Sequence, residues 1–267
     1  MNRTITRIKG VLLALAYAVI YRIIGYAISL LYTVWLKVGG NLSTTEIMKS
    51  ANDNSFALSV IISLVSVWAY ILLCRFRKKE ISEYIHTEKI PLMLFVMSAV
   101  VALGGRLIVT VYYNLIQNVD IFRKSVIESA TVEPRLYSRM DFAIAFFSIL
   151  LVAPLFEEFL FRGLIMGELK KIMRPWAAIL VQAVIFGVAH GFLFQSVFTG
   201  FLGILLGIVY HRTKNIFATA FCHSIFNITS TFMLKNLAFR GTIIFVTIGI
   251  VVTGLGLFYI YANTDER

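Results

Sequence analysis

The chain has 267 residues, of which 59% are hydrophobic and only 15% charged, and its mean hydropathy is +0.83. Soluble domains are about 45–50% apolar and about 25% charged, and a domain of this size leaves much of its surface in contact with water. The composition therefore excludes a soluble globular, disordered, collagen-like, coiled-coil or disulfide-scaffold protein. It predicts an all-α polytopic membrane protein.

The charge is strongly basic, with 25 Lys and Arg against 14 Asp and Glu and a formal net charge of +11. In a soluble domain this balance indicates nucleic-acid binding. Here the basic residues flank apolar runs without an aromatic-interleaved stripe, so we assign them to topology and to contacts with membrane lipids, and no nucleic-acid partner is expected. The two cysteines, Cys74 and Cys222, lie in apolar runs and predict neither a disulfide framework nor a CxxC metal site.

Eight apolar segments are predicted to cross the bilayer, which takes about 20 helical residues. In chain order they are 11–35, 56–73, 91–111, 141–161, 176–190, 192–210, 216–234 and 242–261. The first is too long for the h-region of a signal peptide, which has about 7–15 residues. The longest polar connection, 112–140, predicts an interfacial helix or a continuation of the third span.

Lys and Arg are more numerous in the connections on the side of the N-terminus than in the alternate ones. By the positive-inside rule both termini are therefore cytoplasmic, as an even number of spans requires. The short loops and the lack of a lipidation or retention signal suit a cell membrane, namely a bacterial plasma membrane.

No repeat or linker divides the chain, so we expect one membrane-embedded unit with three regions. These are the N-terminal helices and interfacial segment (1–140), a protease-like core (141–234), and the last helix with a cytoplasmic tail (235–267). The small-residue patterns Gly163-x-x-x-Gly167 and Gly203-x-x-x-Gly207 are typical of close helix packing in lipid.

Ionisable side chains inside apolar spans are costly and mark candidate functional positions. Together with one companion amide they are Arg22, Arg106, Glu157, Glu158, Arg162, His190, His223 and Asn227.

Two adjacent carboxylates lie in the helix predicted over 141–161. Glu158 and Arg162 are four residues apart and share a helix face, so they are expected to form an ion pair. Glu157 is rotated by about 100° and lacks that partner. A carboxylate held in an apolar wall suits a general base near neutral pH. The alternative is a purely structural Glu–Arg pair at a helix end.

Two histidines lie on two further helices, and Asn227 follows His223 by one turn on the same face. A base, two imidazoles and an amide suit a site that activates water and stabilises an oxyanion. Glu157, His190 and His223 equally suit a Zn²⁺ site with an open position, and the spacing does not choose between the two. H-E-x-x-H, G-x-S-x-G and phosphate-binding loop motifs do not occur in the sequence.

The pattern Glu157-Glu158-x-x-x-Arg162, Phe186-x-x-x-His190 and His223-x-x-x-Asn227 resembles the CPBP family of intramembrane proteases, which includes type 2 CAAX prenyl proteases and bacteriocin-processing or Abi proteins. The resemblance implies about eight transmembrane helices around an intramembrane catalytic cavity. It implies that Glu157 and His190 activate water, that His223 and Asn227 stabilise the oxyanion, and that Glu158 and Arg162 support the base. A zinc ion is an open question for the family.

The resemblance also raises a question of depth. His190 lies about 22 Å along its predicted span and His223 about 12 Å along its own, at about 1.5 Å per residue. The two imidazoles meet only if the fifth span begins outside the bilayer or is strongly tilted. We expect the former, with 170–176 standing in the cytoplasm.

The favoured hypothesis is an intramembrane endopeptidase acting on a membrane-associated peptide or protein, through CAAX-type or leader-peptide processing. A non-catalytic scaffold or immunity protein is the alternative, and a proton-coupled transporter is less favoured because no internal repeat is visible. Arg22 and Arg106 are expected to snorkel or to pair with a carboxylate at a span end, or one of them binds a substrate carboxylate. The substrate and the oligomeric state are not predicted.

Overall fold

The computed structural model describes residues 3–117, 119–127, 142–231 and 239–264, and these residues are overwhelmingly helical with no named strand. The all-α prediction is therefore confirmed. The helices are α1 Arg3–Gly40, α2 Thr44–Asp53, α3 Ser55–Phe76, α4 Leu92–Ile116, α5 Phe142–Lys170, α6 Pro175–Ala189, α7 Leu193–Thr213, α8 Ile216–Thr231 and α9 Phe239–Ala262. A 3-10 turn, Ile81–Glu83, and a short helix over 120–127 lie in the connections.

Five of these helices, α1, α3, α4, α7 and α9, are long and apolar enough to cross a membrane. The helices α6 and α8 are apolar but shorter, and α5 is broken into several segments. The polytopic character is confirmed, and the total of eight spans stays a prediction. The interfacial segment predicted over 112–140 lies partly outside the described residues, as does the predicted end of the seventh span.

One helix was not predicted. The amphipathic α2 follows the first span, and a capping box begins it, with the Ser43 hydroxyl accepting from the Glu46 backbone N–H and the Glu46 carboxylate accepting from the Ser43 N–H. Such reciprocal bonds satisfy backbone donors that a helix start leaves unpaired. The capping signal Ser43-x-x-Glu46 is present in the sequence. It was not used to predict a helix because it lies in a polar connection and not in an apolar run.

Helix α5 alternates between α-helical and π-helical turns. Its consecutive segments are Phe142–Phe147 (α), Ser148–Val152 (π), Ala153–Glu158 (α), Phe159–Ile165 (π) and Met166–Lys170 (α). Pro154 contributes to the first irregularity because it has no N–H to donate to the preceding turn. Short π-helical insertions are frequent at functional sites, and both candidate carboxylates lie between the two.

Glycines allow α6 and α7 to approach closely. A Cβ added at Gly187 would lie 2.4 Å from the Ser196 carbonyl oxygen, and one at Gly203 would lie 3.0 Å from Ala183 Cα. Gly207 is similarly close to α6, with 2.9 Å to Ile179 Cγ2. The small residues thus bring the backbones together, as expected for helices without a hydrophobic driving force between them.

A buried polar network ties the connection after α3 to the end of α5. The Glu168 carboxylate accepts hydrogen bonds from Tyr84 (2.5 Å) and Arg77 (2.8 Å), and the Lys171 ammonium lies 3.3 Å from its second oxygen. Arg77 also donates to the Tyr17 hydroxyl of α1 at 2.6 Å. The network fixes α1, the connection and α5 at one end of the bundle.

Candidate active site

Three helices meet at the aromatic ring of Phe186. The imidazole of His190 lies 4.7 Å from this ring and that of His223 lies 5.9 Å from it, centroid to centroid. The Arg162 guanidinium stacks over the same ring at 4.5 Å. The structure therefore brings α5, α6 and α8 together and places both imidazoles against the same aromatic ring. Where 170–176 stands relative to the bilayer stays a prediction.

The pair Glu158–Arg162 forms as the spacing predicts. Arg162 Nη1 lies 2.8 Å from Glu158 Oε1, and both side chains are fully buried. The same carboxylate oxygen accepts from His223 Nδ1 at 2.8 Å. Arg162 Nη2 also donates to the Gly203 carbonyl at 3.3 Å, whereas Glu158 Oε2 and Arg162 Nε are buried without a hydrogen-bond partner among the described residues. The pair therefore fixes His223 and α7 as well as α5.

Glu157 occupies a different environment from its neighbour. Its side chain keeps 22% of its exposure, whereas that of Glu158 keeps none. Glu157 Oε2 lies 3.7 Å from His223 Nε2, which is too long for a direct hydrogen bond. The Glu157 charge also acts on the His190 imidazole. Glu157 is thus the carboxylate with access to an incoming molecule, and both imidazoles lie near it.

The ring of His190 has a defined orientation at the end of α6. Its Nδ1 lies 2.8 Å from the Phe186 carbonyl oxygen, which only accepts, so Nδ1 carries the hydrogen and Nε2 is left as the acceptor. Gly191 follows in a left-handed conformation, with φ +89°, and turns the chain into α7. Arg22 of α1 donates to the Ala189 carbonyl at the same helix end.

Asn227 and Ser224 attach α8 to the irregular part of α5. The Ser224 hydroxyl donates to the Leu150 carbonyl at 2.5 Å, and Asn227 Nδ2 donates to the Ile149 carbonyl at 3.2 Å. These carbonyls precede Pro154 by four and five residues, the positions that an N–H at 154 would serve in an α- or π-helix. The side chains of α8 thus replace the missing donor and hold Asn227 beside α5.

The N-terminal helix contributes residues that sequence reasoning did not assign to the site. The Tyr21 ring lies 5.0 Å from that of Phe156, and Tyr21 interacts electrostatically with Glu157. Arg22, expected to snorkel or to pair with a carboxylate, instead donates to a backbone carbonyl. Its position inside an apolar run was the available signal. Arg106 is buried, with its guanidinium 5.3 Å from the Phe226 ring next to Asn227.

A catalytic zinc ion requires three protein ligands at bond lengths of about 2.0–2.2 Å. His223 Nδ1 is already bonded to Glu158, and its Nε2 faces Glu157. Among the described residues, no group of three His, Cys, Asp or Glu side chains is placed to hold a metal ion. The fit is therefore poor, and the assignment of Glu157, His190 and His223 to zinc stays a prediction.

Comparison with known proteins places the site in a recognised segment. Residues 139–229 match the family described as "Type II CAAX prenyl endopeptidase Rce1-like". A curated relative, "Putative membrane peptidase YdiL" of Bacillus subtilis (strain 168), is 34% identical over 77 residues, which is 29% of this chain and 32% of the relative. The chain thus matches about a third of that relative's length, and no solved structure matches significantly. The matches confirm the resemblance to the CPBP family of intramembrane proteases for the segment that holds the six motif residues, which are Glu157, Glu158, Arg162, His190, His223 and Asn227.

Proposed function

We propose that the chain is a membrane-embedded endopeptidase that hydrolyses a peptide bond of a membrane-associated peptide or protein. The observation that carries the proposal is the environment of Glu157, a partly accessible carboxylate beside two imidazoles, next to a second carboxylate that is fully buried and neutralised. Glu157 serves as the base, whereas Glu158 is committed to Arg162 and His223. The membrane-peptidase relative supports this reaction class.

In the proposed reaction, a water molecule between Glu157 and the two imidazoles attacks the substrate carbonyl carbon. Glu157 takes one proton from this water, and His190 Nε2 accepts a hydrogen bond from it, because Nδ1 is held by the Phe186 carbonyl. The protonated Glu157 then gives its proton to the leaving amine, so the reaction consumes one water and leaves the base unchanged.

The carbonyl oxygen becomes an oxyanion in the tetrahedral intermediate and needs donors aimed at it. In its imidazolium form His223 donates from both nitrogens, Nδ1 to Glu158 and Nε2 toward the substrate. Asn227, one turn away on α8, is the second donor in this proposal. Glu158 and Arg162 act through His223, by holding its ring. No step uses a metal ion.

We further propose that the substrate is membrane-associated, in the manner of a CAAX-type C-terminus or a leader peptide, because the helices α6 and α8, which position the two histidines, are apolar. The test compares the peptide termini in cells that express the parent chain or its Glu157→Gln variant at equal levels. New termini are expected with the parent alone. Glu83→Gln, which removes an exposed carboxylate outside the site, is the matched control and should process as the parent does.

Identical termini for the parent and Glu157→Gln would contradict proteolysis. If both also restored a phenotype lost with the gene, the non-catalytic scaffold would replace this proposal.

A further inference from the structure

Basic side chains lie against Tyr210 at the end of the bundle where α5 and α7 finish. The Lys170 ammonium lies 5.6 Å from the centroid of the Tyr210 ring, and the His86 imidazole stacks on this ring at 6.2 Å with an interplanar angle of 24°. Lys214, which follows α7 with φ +46°, donates its backbone N–H to the Tyr210 carbonyl oxygen at 2.9 Å, and its charge acts on both His86 and Lys170. We call Lys170, Lys214, His86 and Tyr210 the basic cluster.

The cluster is built on a paired backbone. Thr87 forms an isolated antiparallel bridge with Asn215, and the Glu88 N–H donates to the Lys214 carbonyl at 3.0 Å. Asn215 Nδ2 donates to the Glu88 carbonyl at 2.7 Å, and the Tyr210 hydroxyl donates to the Tyr84 carbonyl at 2.9 Å. The basic side chains are therefore held by a fixed framework and do not depend on a loose loop.

The positive charge of the cluster is poorly compensated. The Glu168 carboxylate is already paired with Arg77 and Lys171 and accepts a hydrogen bond from Tyr84. Glu88 lies 3.9 Å from Lys214 but is 59% exposed, so this contact is weak. In the described part of the chain, Lys170 has no carboxylate within ion-pairing distance, and its only charged neighbour of note is another lysine.

The electrostatics agree with this geometry. Burial, followed by the Lys214 charge, lowers the pKa of Lys170 to about 8. Burial, followed by Lys170 and Lys214, also lowers the pKa of His86. A half-buried ammonium beside a like charge is unfavourable, and an anion from outside the protein would relieve it.

We propose that the basic cluster is a binding site for a phosphate group, supplied by the headgroup of an anionic phospholipid. The cluster lies at the end of the apolar helix α7, so in a bilayer we expect it at the depth of the lipid headgroups. Basic pockets between membrane helices at this depth bind anionic headgroups. Tyrosine is also favoured at this boundary because its ring is apolar and its hydroxyl polar. The inference does not depend on proteolysis.

The test uses the full chain purified in mild detergent with phosphatidylglycerol or phosphatidylcholine, and native mass spectrometry counts the lipid retained. The parent should retain phosphatidylglycerol in preference to phosphatidylcholine. Each lysine replaced should weaken retention by about fivefold, so that Lys170→Gln/Lys214→Gln loses most of it. The matched control, Lys9→Gln/Lys78→Gln, removes two exposed lysines outside the cluster and should retain lipid as the parent does.

A second arm distinguishes the lipid from a soluble phosphate. Inorganic phosphate is added to the parent without anionic lipid, and the thermal unfolding midpoint is measured. A rise that the Lys170→Gln/Lys214→Gln variant lacks would assign the site to a soluble phosphate and overturn the lipid assignment. No response to phosphate, together with selective lipid retention, is the expected result.

If the double glutamine variant does not fold, two single variants test the same proposal. Lys170→Met keeps the length and the apolar stem over Tyr210, and Lys170→Arg keeps the charge. Retention is expected to fall in the first and to persist in the second. Equal retention by the parent, Lys170→Met and the double glutamine variant would overturn the proposal.

Discussion

Two neighbouring glutamates of identical chemistry lie in different environments because α5 points them in different directions. Glu158 faces the interior, where Arg162 and His223 satisfy the same carboxylate oxygen, and Glu157 faces the partly accessible side. Removing one partner from a buried pair leaves an uncompensated charge, so Glu158 belongs to the folded framework. Glu157 can be exchanged with less effect on folding, which makes it the informative residue for function.

At the same scale, Arg22 is expected to position His190. Its hydrogen bond to the Ala189 carbonyl fixes the end of α6, where helix carbonyls lack partners. In the proposed reaction, Arg22→Gln should lower the rate of processing about tenfold, because a small displacement of His190 from the attacking water has a large effect on the rate. Arg22→Lys should restore part of this rate. Product termini measured over time check this, and thermal unfolding shows that the variant is folded.

Unchanged processing by Arg22→Gln would contradict the positioning role. Lys37→Gln, a charge change in the exposed last turn of the same helix, is the control.

The carboxyl of Glu168 predicts how stability depends on pH. Burial alone would raise its pKa, but hydrogen bonds from Tyr84 and Arg77 and the Lys171 charge outweigh burial and lower the pKa. A group with a lowered folded-state pKa stabilises the protein above its unfolded pKa, and this contribution is lost as the pH falls through the folded pKa. Glu168→Gln should therefore unfold at a lower temperature than the parent at neutral pH.

This difference should shrink as the pH falls below the ordinary glutamate value of about 4.3. Unfolding midpoints of both proteins across acidic pH measure it. A difference that grows on acidification would contradict the assignment, and Glu83→Gln, whose ion pair is exposed, should show little difference at any pH.

At the scale of the element, glycines determine how closely α6 and α7 pack. Gly187→Ala places a Cβ against the Ser196 carbonyl at 2.4 Å and the Gly200 Cα at 3.2 Å, both of which are backbone atoms. Overpacking of this kind costs about 1–3 kcal/mol, so the unfolding midpoint should fall. Gly254→Ala in α9 is the matched control because its Cβ meets nothing within 4 Å. Equal stability of the two variants would contradict this packing argument.

The sequence predicts the helices best where local signals mark their ends. Helix α6 begins at Pro175 and ends just before Gly191, close to the predicted range 176–190. The Glu158–Arg162 ion pair follows from helix periodicity alone. The π-helical turns of α5 were not predicted, because the partners of the Ile149 and Leu150 carbonyls come from α8, more than 70 residues away. The contribution of α1 to the site was not predicted for the same reason, because it depends on contacts with residues far away in the sequence.

At the scale of the whole molecule, the site depends on more than the segment that matches the protease family. Tyr21 and Arg22 come from α1, and Tyr17 of the same helix bonds to the network around Glu168 through Arg77. Helix α4 packs against both α8 and α9. The flanking helices therefore support the candidate active site from both sides of the matched region.

The orientation of the molecule is a further prediction. The excess of Lys and Arg in alternate connections predicts that both termini are cytoplasmic, so reporters fused to either terminus should both give the cytoplasmic signal. A reporter inserted after Asn41, between α1 and α2, should give the opposite signal. Matching signals from Asn41 and the termini would contradict the predicted topology.

The π-helical stretch Phe159–Ile165 has a consequence for how the chain tolerates changes in length. A π turn holds more residues than an α turn, so losing one residue between Arg162 and Ile165 would return this stretch to a regular helix. The preceding carboxylates and the following Met166–Lys170 turn would keep their faces. A deletion in a regular helix instead rotates everything beyond it by about 100°. A change of length, which proteins usually confine to loops, is therefore expected to be tolerated inside α5.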